Sequence, residues 1–298
     1  MRVLVTGSNG LLGQHLTSLL LKQDAVLLAT SFGPNRIVEV ENCFKSLDIS
    51  NYQDTLKTIN SFKPDLVINT AAATNVDECE HEKEKCDDIN HKGVKNLISA
   101  FTELKIEPYL IHLSTDFIFD GNKKVYKEND QPKPISVYGL SKWLGEEAIL
   151  KSGYENYVIV RTSLVYGVGK ALNKGNIFLW AMEKLRNGES LTIVDDQFRS
   201  PTYVNDLAKA CLKLTEKKYK GILNIAGPET RSMHEYIIKT AEYVGVDPNK
   251  VTPISSQTLA QVAKRPPCSG LDINLAEKEI DYNPTPFKIS LAEMDSVS

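Results

Sequence analysis

The sequence has 298 residues, of which 42% are hydrophobic and 24% are charged, and its formal net charge is −3. This slightly acidic balance excludes the broad basic surface of a nucleic-acid-binding protein, and no apolar run approaches the roughly 20 residues of a membrane-spanning helix. The five cysteines are an odd number in a long chain, which argues against a disulfide framework, so we expect a cytoplasmic protein.

The first half of the chain alternates short apolar runs with amphipathic stretches. The apolar runs predict strands that are buried on both faces, and the stretches with apolar residues at helical spacing predict helices. Alternating strands and helices form right-handed parallel crossovers, so the sequence predicts an α/β fold with a doubly wound, Rossmann-type parallel sheet. In chain order, the predicted elements are strand RVLVTG, helix LLGQHLTSLLLKQ, strands AVLLATS and PDLVINTAA, a helix over 92–104, strand YLIHLSTDFIF, a helix over 136–150 and strand YVIVRTSLVYG.

After residue 166 this regular alternation ends. Glycines and asparagines predict a loop that includes Asn173, a helix follows, and Pro201 and Thr202 precede a further helix that Asn205 is expected to cap. ILNIAG predicts a last strand of the sheet, and the proline-rich remainder predicts a smaller C-terminal α/β lobe. We therefore expect a sheet domain over 1–165 plus about 201–227, and a second lobe over about 166–200 plus 228–298.

Three glycines, Gly7, Gly10 and Gly13, follow the first predicted strand and open the first predicted helix. They allow a tight turn and a close approach of the backbone to a pyrophosphate, while the helix N-terminus supplies N–H groups and the positive end of its dipole. The alternative is a glycine turn that only packs the helix against the strand. The position after an N-terminal strand favours dinucleotide binding, and the G-x-x-G-x-x-G spacing is typical of extended short-chain dehydrogenases/reductases.

The segment after the second strand indicates which dinucleotide is bound. NAD-preferring sites carry an acidic residue at the end of this strand, where the chain instead has Ser31, and Arg36 follows shortly after. An arginine there can pair with the 2′-phosphate of NADPH, so NADPH is favoured over NADH; in the alternative interpretation Arg36 is only solvated. Asp48, which ends the next apolar stretch, is expected either to accept from the adenine amino group or to cap a helix.

Tyr138 and Lys142 are spaced i, i+4 in a predicted helix, which places both side chains on one helix face. A nearby cation lowers the pKa of a phenol and makes it a better proton donor near neutral pH. The helix follows the strand that contains Ser114 and Thr115, two candidate hydroxyl donors to a carbonyl oxygen. With a dinucleotide loop in the same chain, the pair predicts reduction of a carbonyl group or its reverse; the alternative is a surface tyrosine beside a solvated lysine.

A second pair with the same spacing, Tyr166 and Lys170, lies in the sequence YGVGK. Its two glycines argue against a helix, so these two side chains need not share a face. Helix placement and the preceding strand therefore select Tyr138 and Lys142.

Seven segments, TGSNGLLG, LDIS, VINTAAATNVDECE, HLSTDFIFDG, YGLSK, RTSLVYG and RPPCSGLD, occur in the order typical of one family. Over nearly the whole chain they resemble the dTDP-4-dehydrorhamnose reductase family of extended short-chain reductases. The resemblance implies a triad in which Tyr138 donates a proton to the ketone oxygen, Thr115 polarises that oxygen, and Lys142 holds the nicotinamide ribose. It also implies NADPH-dependent reduction of a nucleotide sugar, with a 4-keto-6-deoxysugar as the leading candidate, by a homodimer.

The resemblance, together with the motifs above, assigns side chains to the cofactor and to the substrate. The cofactor set is Gly7, Asn9, Gly10, Leu11, Leu12, Gly13, Ser31, Arg36, Asp48, Ile49, Ala71, Ala72, Ala73, Asn90, Ser114, Tyr138, Lys142, Thr162 and Leu164. The substrate set, in the sheet domain and the substrate-binding lobe, is Thr74, Val76, Asp116, Phe117, Gln197, Arg199, Arg265 and Ser269. The two arginines of that set are expected either to pair with a nucleotide diphosphate or to be ordinary surface arginines.

Three positions depart from the family pattern. Leu164 stands where the family usually has tryptophan, Phe117 where it has tyrosine, and Cys268 where it has asparagine. These departures remove polar or aromatic contacts to the sugar, so the reaction class stands while the identity of the sugar stays open.

Two other functions are consistent with parts of the sequence. One is a dehydratase or epimerase with tightly bound NAD; relatives that dehydrate carry an Asp-Glu pair after the catalytic threonine, but here Asp116 is followed by Phe117. A non-catalytic NADP-binding regulatory subunit, like the β subunit of methionine adenosyltransferase, resembles the same family. No metal site is assigned: Cys79, His81 and Cys86 could be imagined as zinc ligands, but no Cys-x-x-Cys spacing supports zinc, and the use of a divalent metal stays open.

Overall fold

The computed structural model describes residues 1–172, 175–259 and 261–297, so Asn173 of the predicted loop lies outside the described residues. The strands are β1 (Arg2–Thr6), β2 (Val26–Ser31), β3 (Phe44–Ser46), β4 (Leu66–Asn69), β5 (Tyr109–Thr115), β6 (Val125–Tyr126), β7 (Tyr157–Thr162), β8 (Val165–Tyr166), β9 (Leu191–Val194), β10 (Phe198–Arg199), β11 (Thr202–Tyr203), β12 (Gly221–Asn224), β13 (Arg231–Ser232), β14 (Val251–Ile254) and β15 (Gly270–Leu271). The α-helices are α1 (Leu11–Leu20), α2 (Tyr52–Phe62), α3 (Val76–His81), α4 (Lys83–Asp87), α5 (Gly93–Leu104), α6 (Val137–Leu150), α7 (Ile177–Arg186), α8 (Val204–Lys217), α9 (Met233–Val244), α10 (Asn274–Ile280) and α11 (Phe287–Asp295).

One parallel sheet organises the molecule, with seven strands in the order β3-β2-β1-β4-β5-β7-β12. The chain winds outward from β1 to β3 on one side and from β4 to β12 on the other. In such sheets the crevice at the carboxyl ends of the strands, where the order reverses, is the usual ligand site. The doubly wound parallel sheet predicted from the sequence is confirmed.

Helices cover both faces of the sheet. Val3 and Val5 of β1 are buried in one hydrophobic cluster with side chains from α1, α8 and α10. Leu4, which points to the opposite face, is buried in a second cluster with side chains from α2, α5 and α6. Burial on both faces explains why the strands read as continuous apolar runs.

A third cluster lies outside the sheet and joins β9 and β14 to α7, α9 and α11. Its centre is aromatic: the ring of Phe287 lies 4.9 Å from that of Phe178 and 4.9 Å from that of Tyr236. The residue limits predicted for the two domains stay predictions. Within the described ranges, no helix is long and apolar enough to cross a membrane.

Several predicted boundaries are corrected by the structure. The strand predicted over YVIVRTSLVYG ends at Thr162, and β8 pairs separately with β11. β5 was expected to continue through Phe119, but it ends at Thr115 and a 3₁₀ turn, Asp116–Ile118, follows. The Thr115 hydroxyl oxygen accepts a hydrogen bond of 3.2 Å from the Phe117 backbone N–H, which turns the chain out of the strand. The predicted Asn205 cap was wrong, because α8 begins one residue earlier, at Val204, and the Asn205 side chain instead donates to the Tyr203 hydroxyl.

The helix α2 and the edge strand β3 were not predicted. Asn51 caps α2 by accepting a hydrogen bond of 3.1 Å from the Asp54 backbone N–H. β3 has only three residues and pairs with β2 alone, so its sequence carries little strand signal.

Candidate active site

In the glycine loop between β1 and α1, Gly7 and Gly13 have no room for a side chain. Gly7 has φ +71°, and a Cβ there would lie 2.6 Å from the Ala71 backbone nitrogen. A Cβ on Gly13 would lie 2.3 Å from the Gly7 carbonyl oxygen. Gly10 precedes α1, and no side chain caps the N-terminal N–H groups of this helix. A close-packed, uncapped helix start is a cradle that fits the pyrophosphate of a dinucleotide.

Asn9 connects the glycine loop to the segment after β2. Its side-chain amide donates to the Pro34 carbonyl oxygen at 2.9 Å, and its side-chain oxygen accepts from the Arg36 backbone N–H at 3.0 Å. These bonds hold Arg36, whose side chain is exposed, beside the glycine loop, while Ser31 is half-buried at the end of β2. The two residues expected to recognise the adenosine ribose therefore border the cradle.

Asp48 does not cap a helix, since Asn51 caps α2. Its carboxylate accepts hydrogen bonds from the backbone N–H and the hydroxyl of Ser50, at 2.9 and 2.7 Å. Ile49, by contrast, is buried against Gly93, where an added Cβ would lie 2.7 Å from the isoleucine side chain. The side chain of Ile49 therefore serves packing.

The alanine segment after β4, Ala71–Ala73, is held by hydrogen bonds from Asn90, which lies in the π-helical turn Asp88–Lys92. The Asn90 side chain accepts from the Ala73 N–H at 2.8 Å and donates to the Ala73 carbonyl oxygen at 3.0 Å. It also donates to the Ser141 hydroxyl on α6 at 3.0 Å. Asn90 is fully buried, and its side chain links the Ala71–Ala73 segment to α6.

Tyr138 lies in the first turn of α6, whose start Ser136 caps by accepting from the Gly139 N–H at 3.1 Å. The close approach of α6 to the turn after β5 requires Gly139, because a Cβ there would lie 2.2 Å from the Phe117 carbonyl oxygen. This approach places the Tyr138 phenol beside the turn that begins at Thr115. Burial raises the pKa of Tyr138, and the Thr115 hydroxyl partly opposes that rise.

Lys142 follows one helical turn later and is only 3% exposed. Its ammonium group donates to the Leu113 backbone carbonyl at 2.6 Å. Burial lowers the pKa of Lys142 to about 8, against the opposing charge of Glu146. Ser114 donates to the Glu146 carboxylate, which also forms a salt bridge of 2.7 Å with the buried guanidinium of Arg161.

The second tyrosine–lysine pair does not form a site. Tyr166 is 2% exposed and hydrogen-bonds Ser290 at 2.6 Å in the aromatic cluster outside the sheet. Lys170 is an exposed residue that forms a salt bridge with Glu39. The choice of Tyr138 and Lys142 by helix placement therefore agrees with the geometry.

Asp116, expected at the substrate, is 2% exposed and accepts hydrogen bonds from three hydroxyl groups. The donors are Thr115 at 3.2 Å, Ser163 at 3.0 Å and Ser269. Burial raises the pKa of Asp116, and the positive charge of Arg199 and the hydroxyl donors oppose that rise. Asp116 and Ser269 thus contact each other in this structure.

The side chains expected at the nucleotide are also engaged within the protein. Arg265 forms a bidentate pair with Asp77 of α3, at 3.1 and 2.7 Å. Arg199 is 4% exposed, lies 5.2 Å from the Phe117 ring centroid, and has one terminal nitrogen buried without a hydrogen-bond partner. Phe117 in turn packs edge-on against Tyr138, with ring centroids 5.9 Å apart.

The remaining predicted residues divide into exposed and buried positions. Leu164 is 42% exposed, Thr74 is exposed and Val76 is half-buried. Thr162 donates to the Thr202 hydroxyl at 2.8 Å, and Gln197 donates to the Gln261 side chain at 3.0 Å. Leu11 opens α1, and Leu12 is part of the core under that helix.

Sequence reasoning missed Glu146 and Arg161, and it placed Ser163, within Thr162–Leu164, beside the nicotinamide without foreseeing its bond to Asp116. The signal for the buried ion pair was a glutamate two turns after Tyr138 on the same helix face and an arginine inside an apolar strand. Ser163 carries no local signal, because its partner lies 47 residues away. Among the described residues, no group of three His, Cys, Asp or Glu side chains could hold a metal ion.

The chain matches the family model described as RmlD substrate binding domain over residues 1–297. It is 32% identical to a dTDP-4-dehydrorhamnose reductase of Aggregatibacter actinomycetemcomitans, over 97% of each chain. The crystal structure of a dTDP-4-dehydrorhamnose reductase from Clostridium acetobutylicum has a TM-score of 0.85 at 31% identity, over 100% of this chain and 99% of that one. A Bacillus anthracis dTDP-4-dehydrorhamnose reductase in complex with NADP has a TM-score of 0.83 at 27% identity, over 100% and 99%. This chain therefore belongs to the dTDP-4-dehydrorhamnose reductase family.

Proposed function

We propose that this chain uses NADPH to reduce the keto group of a nucleotide-bound 4-keto-6-deoxysugar, with Thr115, Tyr138 and Lys142 as its catalytic residues. The observation that carries the proposal is the packing of the start of α6, which carries Tyr138, on the turn after Thr115 at the carboxyl end of β5, with Lys142 bonded to the same strand one helical turn later. Two hydroxyl groups that meet at the ligand edge of the sheet can both hydrogen-bond one carbonyl oxygen.

The three residues have complementary tasks in moving one proton. Because burial raises the pKa of Tyr138, the phenol stays protonated at neutral pH and is available as the general acid. The ammonium of Lys142 stabilises the phenolate that remains after proton transfer. Only one of its three N–H groups is used by Leu113, so others can donate to a ribose. Thr115 adds a second hydrogen bond to the carbonyl oxygen.

The glycine cradle fits a dinucleotide, and NADPH would supply the hydride when bound. The N–H groups at the start of α1 would hold the pyrophosphate, and Arg36 would pair with the 2′-phosphate. The absence of an acidic side chain at Ser31 and the NADP of the Bacillus anthracis relative support NADPH. Ala71–Ala73, small and half-buried, would let the cofactor approach β4 closely.

The reductase is favoured over a dehydratase by the position after Asp116. A dehydratase needs a second acid there, but Phe117 packs its ring against Tyr138. An apolar ring in that place offers no proton.

We also propose that the protein acts in the cytoplasm as a homodimer. The family resemblance supports the dimer, and free cysteines at all five positions are consistent with a reducing compartment. Light scattering of the purified protein would test the dimer: twice the monomer mass of 33.2 kDa is expected, and the monomer mass would contradict it.

The test of the function is an assay with NADPH and a panel of nucleotide ketosugars that includes dTDP-4-dehydrorhamnose. We expect oxidation of NADPH with at least one of them, and a loss of about 100- to 10,000-fold in kcat for Tyr138→Phe. Tyr166→Phe is the matched control, because it removes a buried hydroxyl that bonds Ser290 in the aromatic cluster outside the sheet and should leave kcat unchanged. NADPH binding without turnover on any ketosugar would contradict the proposal and point to the regulatory subunit.

A further inference from the structure

We propose that Asp116 is a positioning residue, whose buried carboxylate fixes the hydroxyl group of Thr115 beside Tyr138. The inference rests on the proposed function, because the position of Thr115 matters only if its hydroxyl meets the carbonyl group of a substrate. It differs from the expectation drawn from the sequence, in which Asp116 itself contacts the substrate.

The carboxylate of Asp116 is turned into the protein. One oxygen accepts from Ser163 at 3.0 Å and from Ser269, and the other accepts from Thr115 at 3.2 Å. Asp116 is only 2% exposed, and its three donors come from three separate segments of the chain.

Two hydrogen bonds restrict the Thr115 hydroxyl group to one position. Its oxygen accepts from the Phe117 N–H at 3.2 Å, and its single hydrogen is donated to Asp116, also at 3.2 Å. Without the carboxylate that hydrogen loses its acceptor, and the side chain is free to rotate to other rotamers. At 3.2 Å the bond to Asp116 is longer than an ordinary O–H···O bond, so it selects the rotamer of Thr115 and still lets the hydrogen turn to the carbonyl oxygen of a substrate.

The surrounding charges allow a carboxylate at this depth. Arg199 is the nearby cation that opposes the effect of burial on Asp116, and its guanidinium lies over the ring of Phe117. The same ring packs on Tyr138, so the residues that hold the carboxylate also border the tyrosine. Asp116 accepts from donors on three separate segments, so it is a rigid acceptor, and a rigid acceptor fixes the rotamer of its donor.

A double-mutant cycle tests whether Asp116 acts through Thr115. Asp116→Ala, Thr115→Ala and the double variant are assayed with NADPH and the best ketosugar, with NADPH affinity measured by fluorescence. We expect Asp116→Ala to lower kcat about 10- to 100-fold with KM changed less than about threefold, since a misplaced hydroxyl weakens only the transition state. In the Thr115→Ala background, adding Asp116→Ala should lower kcat by less than about threefold.

Asp206 supplies a matched control. It is a buried carboxylate, 6% exposed, that accepts from the N–H and the hydroxyl of Thr285 at 2.7 and 2.8 Å. Asp206→Ala should lower the melting temperature as Asp116→Ala does, yet leave kcat within about twofold.

Equal losses of kcat in both backgrounds would overturn the proposal, and so would a rise in KM alone, which would place Asp116 at the substrate. If Asp116→Ala does not fold, Ser269→Ala replaces it in the cycle with the same criterion. The proposed function has a separate criterion, because it fails if the wild-type protein turns over no ketosugar. In that case crystal structures of the wild type and of Asp116→Ala test the positioning role. One Thr115 rotamer in the wild type and several in the variant support the role, and an unchanged rotamer overturns it.

Discussion

The ammonium group of Lys142 donates a hydrogen bond of 2.6 Å to the backbone carbonyl of Leu113, two residues before the strand ends at Thr115. The carboxyl end of β5 therefore holds the ammonium group of Lys142 in place and also contains Thr115. Such a bond holds a lysine that is 3% exposed in one position, and it compensates only part of the loss of water around the charge. The consequence is a lysine whose protonation responds to pH in the physiological range.

We predict that kcat/KM for ketone reduction falls as pH rises through about 8, the value to which burial lowers the pKa of Lys142. Below this pKa the side chain carries its proton and stabilises the phenolate of Tyr138; above it the lysine is neutral and that stabilisation is lost. A pH–rate profile measures the effect. Lys142→Arg, which keeps its charge throughout this range, should be slower at neutral pH but lack the fall. A wild-type profile that stays flat to pH about 10 would contradict the assignment.

Gly7→Ala should destabilise the protein and abolish NADPH binding. At φ +71° any other residue is strained, and the added Cβ would meet the Ala71 nitrogen at 2.6 Å. Gly153→Ala separates the two effects, because Gly153 has φ +78° but no atom within 4 Å of an added Cβ. We expect a loss of about 1–2 kcal/mol in the free energy of unfolding for Gly153→Ala, and a larger loss for Gly7→Ala. Similar losses of unfolding free energy for both variants would show that backbone strain alone explains why position 7 requires glycine.

The parts of the candidate site whose local structure agrees with the prediction depend on local patterns. The glycine loop and the pair of Tyr138 and Lys142 are short-range signals, since a helix start and an i, i+4 spacing are visible within a few residues. The sheet followed from the alternation of apolar runs with helical periodicity.

The parts that were missed depend on contacts between distant segments. Ser163 and Ser269 lie 47 and 153 residues from Asp116, and Arg265 lies 188 residues from its partner Asp77. No periodicity relates positions so far apart, so the sequence did not predict these hydrogen bonds, and the ligand contacts expected of Asp116 and Arg265 stay predictions. The end of β5 was misplaced for a related reason, because one side-chain hydrogen bond from Thr115 redirects an apolar run.

Arg36→Ala should change the preference between the two nicotinamide cofactors. Loss of a pair with the 2′-phosphate is expected to raise the KM for NADPH about tenfold, which corresponds to about 1.4 kcal/mol, while the KM for NADH stays within about twofold. Steady-state kinetics with both cofactors provide the measurement, and NADH serves as the internal control because it lacks the phosphate. An equal rise in both KM values would indicate that Arg36 only supports the loop that Asn9 holds.

The buried ion pair behind Lys142 should contribute far more to stability than an exposed pair of the same type. Arg161 and Glu146 have side-chain exposures of 1% and 0%, whereas Arg186 and Asp295 have 47% and 23%. Arg161→Ala leaves a carboxylate buried without its cation, so we expect a loss of about 3–5 kcal/mol in the free energy of unfolding. Arg186→Ala removes a solvated pair, and a loss of about 0–1 kcal/mol is expected. Urea denaturation followed by circular dichroism measures both.

A third variant separates the loss of attraction from the cost of an unpaired charge. Replacing both partners, Arg161→Met with Glu146→Leu, removes both buried charges, so much of the loss seen in Arg161→Ala should be recovered. If the double variant is as unstable as Arg161→Ala, the pair stabilises the fold by attraction or packing, and the unpaired carboxylate is not the cause. The double variant should still lower catalysis, because Glu146 is the charge that opposes the effect of burial on the pKa of Lys142. Its pH–rate profile is therefore expected to fall at a lower pH than that of the wild type.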